Sequence, residues 1–512
     1  MDPRDLPGAV LHVQTKQGDA PRTADAEVVA PPRTGRGDLL RVAVVVLALT
    51  AFLRLPAFFV DVFNSDETFL ATQAQVIREG GDLYREAADR KPPLVPYVYA
   101  ATQAITGTTD LWSVRVAAML AAAGTAVLLA LEASRRYGRR AMWIAALLAT
   151  VALVAFAPQD GQAANFEIFM LPLTVAGVML ARRGRAASSG VAIGFATLAK
   201  QTGAATLLPI FFLLIKRRDK RGIVEASVGF GVPVAIAAAL VGPRQLFYWT
   251  VLGNGSYVGL KTASALVIAM FVLMTLGWAA CNLPILWTLP RSWRARRIPA
   301  TDGETNTDLW LWLLSGAVSV AVGLRFFGHY YLQLVPPMVL LSAGALQVAS
   351  RRAVRATLAF ALVSGLLFSV AGYFLTPFGK EPEYQSVSRY LAANTATNDR
   401  VLVWGTVPEI YWASGVKPAT RYIATQSLLA ENHAGRKTAA KPSELDPQVW
   451  TWFFRDLRRH PPRFIVDTSN TDIRSADLSP LSRYPRLERY VEAHYTLDRT
   501  IDGLDVYVRD QT

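Results

Sequence analysis

The residues best suited to chemistry are carboxylates and cations that share one polar segment between two apolar ones. The segment opens with Asn64-Ser65-Asp66-Glu67 and closes with Asp89-Arg90-Lys91-Pro92-Pro93. Ser65 can cap a helix whose first turn holds Asp66 and Glu67, and the positive end of a helix favours ionised carboxylates. Helix capping alone would account for both acids. A carboxylate at a membrane surface is energetically unfavourable, however, and is typical of a functional site. Both acids are therefore also candidate catalytic residues.

The segments around these acids are apolar enough to cross a membrane. Of the 512 residues 52% are hydrophobic and 18% are charged, whereas a soluble chain is about one-quarter charged. This composition excludes a disordered chain, a collagen and an ordinary water-soluble enzyme. Because a bilayer core needs about 20 apolar residues per helix, the sequence predicts an α-helical polytopic membrane protein with about 11 transmembrane helices. The candidate spans are 40–60, 111–131, 141–158, 166–182, a short pair at 189–200 and 203–215, 222–241, 262–288, 309–325, 330–349 and 355–376.

The excess of positive charge indicates how these spans are oriented. Lys and Arg number 53 and Asp and Glu number 39, which gives a net charge of +14. By the positive-inside rule, basic loops and the N-terminus face the cytoplasm, so the acidic segment 61–93 faces outward. The excess therefore gives no support for a nucleic-acid partner. The basic clusters occupy every second loop, at 135–140, 182–185, 216–221, 291–297 and 351–355.

The chain divides into three predicted parts. Residues 1–38 are polar and carry no removable signal peptide, which predicts a disordered cytoplasmic N-terminus. Residues 39–377 form the transmembrane domain, with 61–93 as its first outer loop. Residues 378–512 have the pattern of a small α/β domain, which an odd number of spans places outside the cytoplasm. Its predicted helices are 383–394 and 447–459, and its predicted strands are 401–405, 463–467 and 504–508.

Isolated polar and aromatic residues near the outer ends of the spans each allow two interpretations. His329 is either an anchoring ring at the membrane interface or a contact to acceptor, phosphate or metal. Lys200 either snorkels or contacts a substrate. Arg54 either has a structural role, by snorkelling or by pairing with a neighbouring helix, or contacts substrate, and Asp160 is predicted to be solvated. Aromatic residues of one outer loop form an interfacial belt or stack on sugar rings: Phe247, Tyr248, Trp249 and Tyr257.

Several motifs occur in an order that is similar to that of a known family. Asp66-Glu67 is followed by Gly81-x-x-Tyr84 and by Lys91-Pro-Pro-Leu94. Three more motifs follow: Asn165-Phe-Glu167, Leu198-Ala-Lys200-Gln-Thr-Gly and Arg325-Phe-Phe-Gly-His329-Tyr330. Over roughly residues 40–380 the chain resembles the polyprenyl-phosphate-sugar-dependent glycosyltransferases of the GT-C fold. That group includes the protein O-mannosyltransferases and the aminoarabinose transferases of lipid A.

The resemblance implies roles for particular residues. Asp66 would be the catalytic carboxylate, with Glu67 beside it and Glu167 as a second acidic group. Since the donor carries a phosphodiester, Lys91 can hold it as a point charge and Arg325 can bind its oxygens bidentately. The remaining candidates for contacts with acceptor or donor are His329, Tyr330, Lys200 and Tyr84.

One position departs from the family pattern and bears on metal binding. Arg90 stands where the aminoarabinose transferases carry a glutamate before Lys-Pro-Pro. This difference puts in doubt a metal site built on that glutamate. The sequence therefore leaves the cofactor unknown, with a divalent metal as an open alternative and no metal ligand assigned.

The predicted activity is glycosyl transfer, of a hexose or a pentose, at the outer face of the plasma membrane. A polyprenyl-phosphate-linked sugar would be the donor, and the acceptor would be a hydroxyl of an envelope lipid, glycan or protein. Asp66 would take the acceptor's proton, and attack opposite the phosphate would invert the anomeric carbon. Two alternatives belong to other classes. A multi-span transporter would need paired ionisable residues near the bilayer midplane, and in a non-catalytic glycan-binding scaffold Asp66 and Glu67 would be dispensable.

Overall fold

A computed structural model of the chain describes residues 35–156, 158–254, 264–296, 300–301, 303–374, 383–430 and 441–510. A large helical domain is followed by a smaller domain built on a five-stranded sheet. The predicted disordered N-terminus lies outside the described residues as far as residue 34. The first helix already begins at Arg36, before the predicted boundary at residue 38.

The helical domain consists of α-helices joined by short turns. Short 3₁₀ segments interrupt this pattern next to or at the candidate residues Arg54, Lys200 and His329. They are Leu55–Phe58, Gln201–Thr206 and Gly328–Leu334. The helices are α1 (Arg36–Arg54), α2 (Ser65–Arg78), α3 (Leu94–Thr106), α4 (Leu111–Tyr137), α5 (Arg139–Ala152), α6 (Pro158–Gln162), α7 (Phe166–Arg182), α8 (Ala186–Ala199), α9 (Leu207–Lys216), α10 (Lys220–Val241), α11 (Pro243–Thr250), α12 (Ser264–Cys281), α13 (Leu283–Leu286), α14 (Leu289–Arg294), α15 (Thr307–Val322), α16 (Val335–Gln347) and α17 (Arg351–Phe374).

Only some of these helices are long and apolar enough to cross a membrane by themselves. Among the described residues four pass that test, and a pair bent by 74° would make a fifth. Others are short: α8 has 14 residues, or about 21 Å at 1.5 Å per residue, less than the roughly 30 Å of a bilayer core. The count of eleven spans therefore stays a prediction. The four long helices are Arg36–Phe58, Leu111–Tyr137, Lys220–Val241 and Arg351–Ala371.

The predicted span 262–288 is wrong as one continuous helix. Helix α12 ends at Cys281, and the chain turns by 74° before it continues from Leu283. At the turn, Asn282 donates both its backbone amide and its side-chain amide to the Trp278 carbonyl, at 3.0 Å each. Pro284, which has no backbone N–H, lies in the first turn of the next helix, where that group needs no partner.

Glycines bring α8 and α10 into close contact. A Cβ atom at Gly190 would overlap the backbone of Ala226, and one at Gly229 would overlap the backbone of Ala187. Small residues at such positions let the backbones of two membrane helices approach closely, so that van der Waals contacts hold the pair together. This packing fixes α8 against α10, and Lys200 directly follows the last residue of α8.

The C-terminal domain has the predicted α/β character. Its sheet has the order β2-β1-β3-β5-β4; β2, β1 and β3 run parallel, and β5 is antiparallel to both β3 and β4. The three predicted strands are confirmed, whereas β2 and β4 were missed. β2 has only two residues, and the residues of β4 are almost all exposed and show no alternation. The strands are β1 (Arg400–Trp404), β2 (Lys417–Pro418), β3 (Phe464–Asp467), β4 (Tyr495–Ile501) and β5 (Leu504–Arg509), and the helices are α18 (Gln385–Asn394), α19 (Glu409–Ser414), α20 (Thr425–Leu428), α21 (Pro447–Arg459) and α22 (Pro485–His494).

The C-terminal domain packs on the segment predicted as the first outer loop. The Ala88 amide donates to the Arg421 carbonyl at 2.7 Å, and the Gln75 side chain donates to the Gly415 carbonyl at 2.8 Å. Buried side chains of both domains form one continuous apolar cluster. The smaller domain is therefore held directly over the end of the helical domain that carries Asp66.

Aromatic residues of α11 reinforce this contact. The Tyr248 hydroxyl donates to Asp446 at 2.7 Å. Trp249 is 2% exposed and packs against Tyr422 and Trp452. Burial in the domain contact leaves Trp249 no free face for a sugar ring. Of the other residues in the predicted aromatic cluster, Phe247 is exposed and Tyr257 lies outside the described residues.

Candidate functional site

The N-terminus of α2 presents Asp66. Asn64 has an extended backbone, and its side-chain oxygen accepts a hydrogen bond from the Asp66 amide at 2.9 Å. Asn64 is therefore the helix cap, and the prediction that Ser65 caps the helix is wrong because Ser65 is itself the first helical residue. The cap places the Asp66 carboxylate at the positive end of α2, where a negative charge is favoured.

A cavity of about 430 Å³ lies between the two domains, a volume within the range of small-molecule sites. One side is charged and comes from the helical domain. The facing wall comes from the C-terminal domain and is uncharged. Six of the predicted site residues line the cavity: Asp66, Lys91, Lys200, Arg325, His329 and Tyr330. The facing wall contains Thr406, Pro408, Ala424, Ser427 and Leu428.

Asp66 and Lys91 form an ion pair in this cavity. Lys91 Nζ lies 3.1 Å from Asp66 Oδ2, and about a third of each side chain is exposed. Burial disfavours the charged form of Asp66, but the ammonium of Lys91, together with His329 and Lys200, outweighs it and lowers the pKa of Asp66. The carboxylate is thus held ionised and accessible, as a proton acceptor must be.

Glu67 points away from the cavity although it adjoins Asp66 in sequence. Its carboxylate is fully buried and accepts from Arg115 Nη2 at 2.7 Å and from the Ala164 amide at 2.9 Å. Arg115 also donates to the carbonyls of Val60 and Asp61. The Glu67–Arg115 pair therefore connects α2 and α4 with the segments at Val60–Asp61 and at Ala164. Glu67 does not line the cavity.

Glu167 is also buried and does not line the cavity, but its ion-pair partner Lys200 does. It forms an ion pair with Lys200, whose ammonium lies 3.9 Å from the centre of the Tyr330 ring. His329 Nε2 lies 3.9 Å from Glu167 Oε1. The structure thus brings together three motifs that are far apart in sequence, which begin at 165, 198 and 325.

Asp160, predicted to be solvated, is buried, and the prediction is wrong. Its Oδ1 lies 2.6 Å from His329 Nδ1, and its side chain is 4% exposed. The Arg54 guanidinium donates to the carbonyls of Gly161 and Gln162 at 2.6 Å each, which holds the segment that carries Asp160. Arg54 accordingly pairs with a neighbouring segment, which agrees with the structural one of its two predicted interpretations.

Tyr84 acts on the site from outside the cavity. It is fully buried, has a positive φ of 69°, and donates its hydroxyl to the Lys91 carbonyl at 2.8 Å. A non-glycine residue with positive φ is uncommon and is held in place by its surroundings. Tyr84 therefore positions the backbone that presents Lys91.

The sequence analysis missed several cavity residues. Asp89 and Arg90 line the cavity beside Lys91, and burial raises the pKa of Asp89 despite the nearby Lys91 ammonium. Gln201 and Asn254 both donate to the Arg90 carbonyl, at 2.7 and 3.0 Å, which fixes this loop. Gln201 follows Lys200 in the quoted motif, so a signal was present. Asn254 had none.

The side chains do not fit a metal ion. Within the part of the chain that the structure describes, no group of three or more His, Cys, Asp or Glu side chains could hold one. Asp66 is paired with Lys91 and Glu167 with Lys200, so ammonium groups already occupy the carboxylates that would have to bind the ion.

The chain is similar to one protein family over part of its length and to several solved structures over most of it. Residues 90–249 match a protein family described as dolichyl-phosphate-mannose-protein mannosyltransferase. No curated protein matches the chain. Crystal structures of ArnT from Cupriavidus metallidurans are similar to it, with TM-scores of 0.60 bound to undecaprenyl phosphate and 0.62 in the apo state, both at 14% identity. The alignments cover 93% and 92% of this chain and 98% and 96% of ArnT. The chain has the GT-C glycosyltransferase fold.

A second GT-C structure extends this similarity. The archaeal oligosaccharyltransferase AglB from Archaeoglobus fulgidus, in complex with an inhibitory peptide and a dolichol-phosphate, has a TM-score of 0.53 at 12% identity. That alignment covers 92% of this chain and 74% of AglB. The GT-C fold predicted from the motifs is confirmed. The matched range 90–249 includes Lys91, Glu167 and Lys200 but neither Asp66 nor Arg325.

Replacing Lys91 by glutamine is expected to raise the pKa of Asp66 and so to shift the pH dependence of the reaction at this site to higher pH. Lys91 is the largest influence that lowers the pKa of Asp66, and burial, which raises it, would remain. A base with a higher pKa is protonated at higher pH, so activity should be lost at higher pH as the solution is acidified. The measurement is the pH at which kcat/KM for sugar transfer falls to half its maximum on the acidic side. This pH can be compared between variants even if their maximal kcat/KM values differ.

Lys417→Gln is the matched control, because Lys417 pairs with Glu79 outside the cavity. Its acid limb should coincide with that of the unmodified protein. An unshifted limb in Lys91→Gln would contradict the electrostatic coupling between Lys91 and Asp66.

Proposed function

We propose that this chain is a membrane glycosyltransferase that moves one sugar from a polyprenyl-phosphate carrier to an acceptor hydroxyl. The observation that carries the proposal is the ionised Asp66 carboxylate in a cavity whose other charged groups include Lys91, Lys200 and Arg325. One carboxylate can accept a proton while the cations hold a phosphate. The GT-C structures bound to undecaprenyl phosphate and dolichol-phosphate support a lipid phosphate as the carrier.

The proposed reaction is a single displacement. Asp66 takes the proton of the acceptor hydroxyl, whose oxygen attacks the anomeric carbon on the face opposite the phosphate, and the configuration inverts. The phosphate leaves with one more negative charge than it had in the donor. Lys91 and Arg325 stabilise that charge, Arg325 through its planar pair of donors.

Lys91 has two successive partners in this scheme. Without donor it pairs with Asp66 at 3.1 Å. A bound phosphate competes for the same ammonium, which weakens its hold on Asp66 and makes the carboxylate a better base. Donor binding thus prepares the group that removes the acceptor's proton.

The other predicted site residues support these two in the proposal. Lys200, held by Glu167, adds a further positive charge on the donor side, and Tyr330 lies against its ammonium. His329 faces the same side of the cavity. Glu67 and Tyr84 act from outside, by fixing the segments that carry Asp66 and Lys91.

The acceptor is proposed to bind against the uncharged wall of the C-terminal domain. Thr406 and Ser427 supply hydroxyl groups there, and the neighbouring wall residues are apolar or small. Such a surface suits a neutral hydroxyl-bearing group of an envelope lipid, glycan or protein. The C-terminal domain would then select the acceptor while the helical domain binds the donor.

The proposed topology has eleven spans, with residues 1–38 in the cytoplasm, the transmembrane domain at 39–377, and 378–512 outside the plasma membrane. Ion pairs support one cytoplasmic end: Arg136 and Arg182 both pair with Asp308, and Arg217 pairs with Glu304. These contacts gather three of the basic clusters at one place. Single cysteines in a Cys281→Ser background test the orientation. Position 472 should react with an impermeant maleimide on intact cells, and position 221 should not.

The activity is tested with the purified full chain and its membrane acceptors. Polyprenyl-phosphate-linked mannose, arabinose and glucose, each radiolabelled in the sugar, are incubated with acceptor membranes, and label in the acceptor fraction is counted. A labelled product with one donor is expected, with none from membranes alone. The absence of transfer from all three donors would contradict the proposal, and that is the result expected for a transporter or a glycan-binding scaffold.

A further inference from the structure

Asp160 and His329 form a buried pair at the edge of the cavity. Asp160 lies on the short helix α6, and His329 lies in the 3₁₀ segment before α16, 169 residues later. The Nδ1–Oδ1 distance is 2.6 Å, and the two side chains are 10% or less exposed. The carboxylate oxygen is the acceptor in this contact, so the ring proton of His329 is assigned to Nδ1.

The same carboxylate also reaches the helix that presents Asp66. Asn64 Nδ2 donates to Asp160 Oδ1 at 3.4 Å, and Asn64 Oδ1 accepts from the Asp66 amide at 2.9 Å. Asp160 thus contacts the histidine on one side of the site and the cap of the catalytic helix on the other. A single side chain connects groups from three separate segments.

The ring of His329 has a defined orientation. Phe327 stacks on it at 5.7 Å between centroids, and Tyr330 meets it edge-on at 4.8 Å. With Nδ1 bound to Asp160, Nε2 is the ring nitrogen available to a ligand, and Glu167 Oε1 lies 3.9 Å from it. The charged groups that face the ring are Asp160, Glu167, Lys200 and Asp66. Burial disfavours a charged ring, but the carboxylates of Glu167 and Asp160 outweigh it and raise the pKa of His329, which favours a second proton on Nε2.

We propose that His329 is a catalytic residue of the transfer reaction, donating a hydrogen bond from Nε2 to the departing phosphate, and that Asp160 is the positioning residue that holds it. The inference rests on the proposed function. In the step, the bond from the acceptor oxygen to the anomeric carbon forms and the bond from that carbon to the phosphate oxygen breaks. The electron pair stays on the phosphate oxygen, and the acceptor's proton goes to Asp66. The phosphate passes from one negative charge to two. The hydrogen bond that Nε2 donates to it becomes stronger as this charge develops.

A double-mutant cycle tests this assignment. His329→Ala, Asp160→Ala and the double variant are compared in the transfer assay with saturating acceptor and varied donor. Removing a donor aimed at developing charge costs about 10²- to 10³-fold in kcat, so we expect a loss of that order for His329→Ala and a smaller one for Asp160→Ala. KM for the donor should change little, because the interaction gains its strength only as the donor breaks down.

The decisive result is the double variant. If Asp160 acts mainly through His329, removing Asp160 costs little further once the histidine is gone, because only its 3.4 Å contact with Asn64 is then lost. The two losses are then not multiplicative. Asp160→Asn, which keeps the size of the side chain, replaces Asp160→Ala in the cycle if the alanine variant does not fold. Asp110→Asn is the matched control, since Asp110 is an exposed acid outside the cavity, and its kcat should equal that of the unmodified protein.

The outcomes separate this inference from the proposed function. Active unmodified protein with multiplicative losses in the cycle, or with losses confined to KM, would overturn the roles of Asp160 and His329 and leave the transferase intact. Inactive unmodified protein with every donor would overturn the proposed function and this inference with it.

Discussion

Replacement of Asp66 by asparagine is expected to slow sugar transfer by about 10²- to 10⁴-fold, the range that general base catalysis contributes. Asparagine has the same shape and can still accept from Lys91, but it cannot take the acceptor's proton. About a third of the side chain is exposed, so the substitution should leave the fold intact. The measurement is kcat with the labelled polyprenyl-phosphate sugar, alongside the thermal unfolding temperature of each protein.

Asp82→Asn is the matched control for this variant. Asp82 lies in the same segment between α2 and α3, its side chain is 64% exposed, and it pairs only at the surface with Arg85. Its transfer rate should match that of the unmodified protein. Unchanged transfer by Asp66→Asn would overturn the assignment of the base, and equal loss in both variants would indicate a general effect of charge in this segment.

Replacement of Glu67 by alanine is expected to act on stability. The change would leave the Arg115 guanidinium buried without its carboxylate, and breaking a buried ion pair in this way costs about 3–5 kcal/mol. Glu67 also accepts from the Ala164 amide, which would lose its partner as well. The measurement is the thermal unfolding temperature of the purified full chain in one detergent.

A surface Arg–Glu pair provides the control. Arg221 and Glu225 pair at 2.8 Å with 90% and 38% of their side chains exposed, and such pairs contribute about 0–1 kcal/mol. Glu225→Ala should therefore unfold at nearly the same temperature as the unmodified protein. If Glu67→Ala were as stable as Glu225→Ala but inactive, Glu67 would have a direct chemical role that its buried position does not indicate.

Two neighbouring acids thus acquire different roles from one helix. Successive residues of an α-helix point about 100° apart, since 3.6 residues make a turn. Asp66 faces the cavity, and Glu67 consequently faces α4 and its Arg115. The motif marks both residues as important but contains no information about which one faces the substrate.

Other contacts were invisible in the sequence because their partners are distant along the chain. Asp160 stands in a polar loop that looks solvated, and its burial depends on His329, 169 residues away. Trp249 belongs to an aromatic cluster typical of a membrane interface, and its burial depends on Tyr422 and Trp452 of the other domain. Neither pairing is encoded in local composition or spacing.

The sequence by itself determined the helical membrane character, the basic end of the molecule, the α/β character of the C-terminal domain and the GT-C fold. These follow from local properties: apolar runs, loop charge, strand patterns and the order of short motifs. The tertiary structure alone decided that Asp66 pairs with Lys91, that Glu67 is buried against Arg115, that Asp160 contacts His329, and that Thr406 and Ser427 line the same cavity as the charged groups. Each of these depends on how separate helices and two domains pack, and packing joins residues whose separation in sequence says nothing about their distance in space.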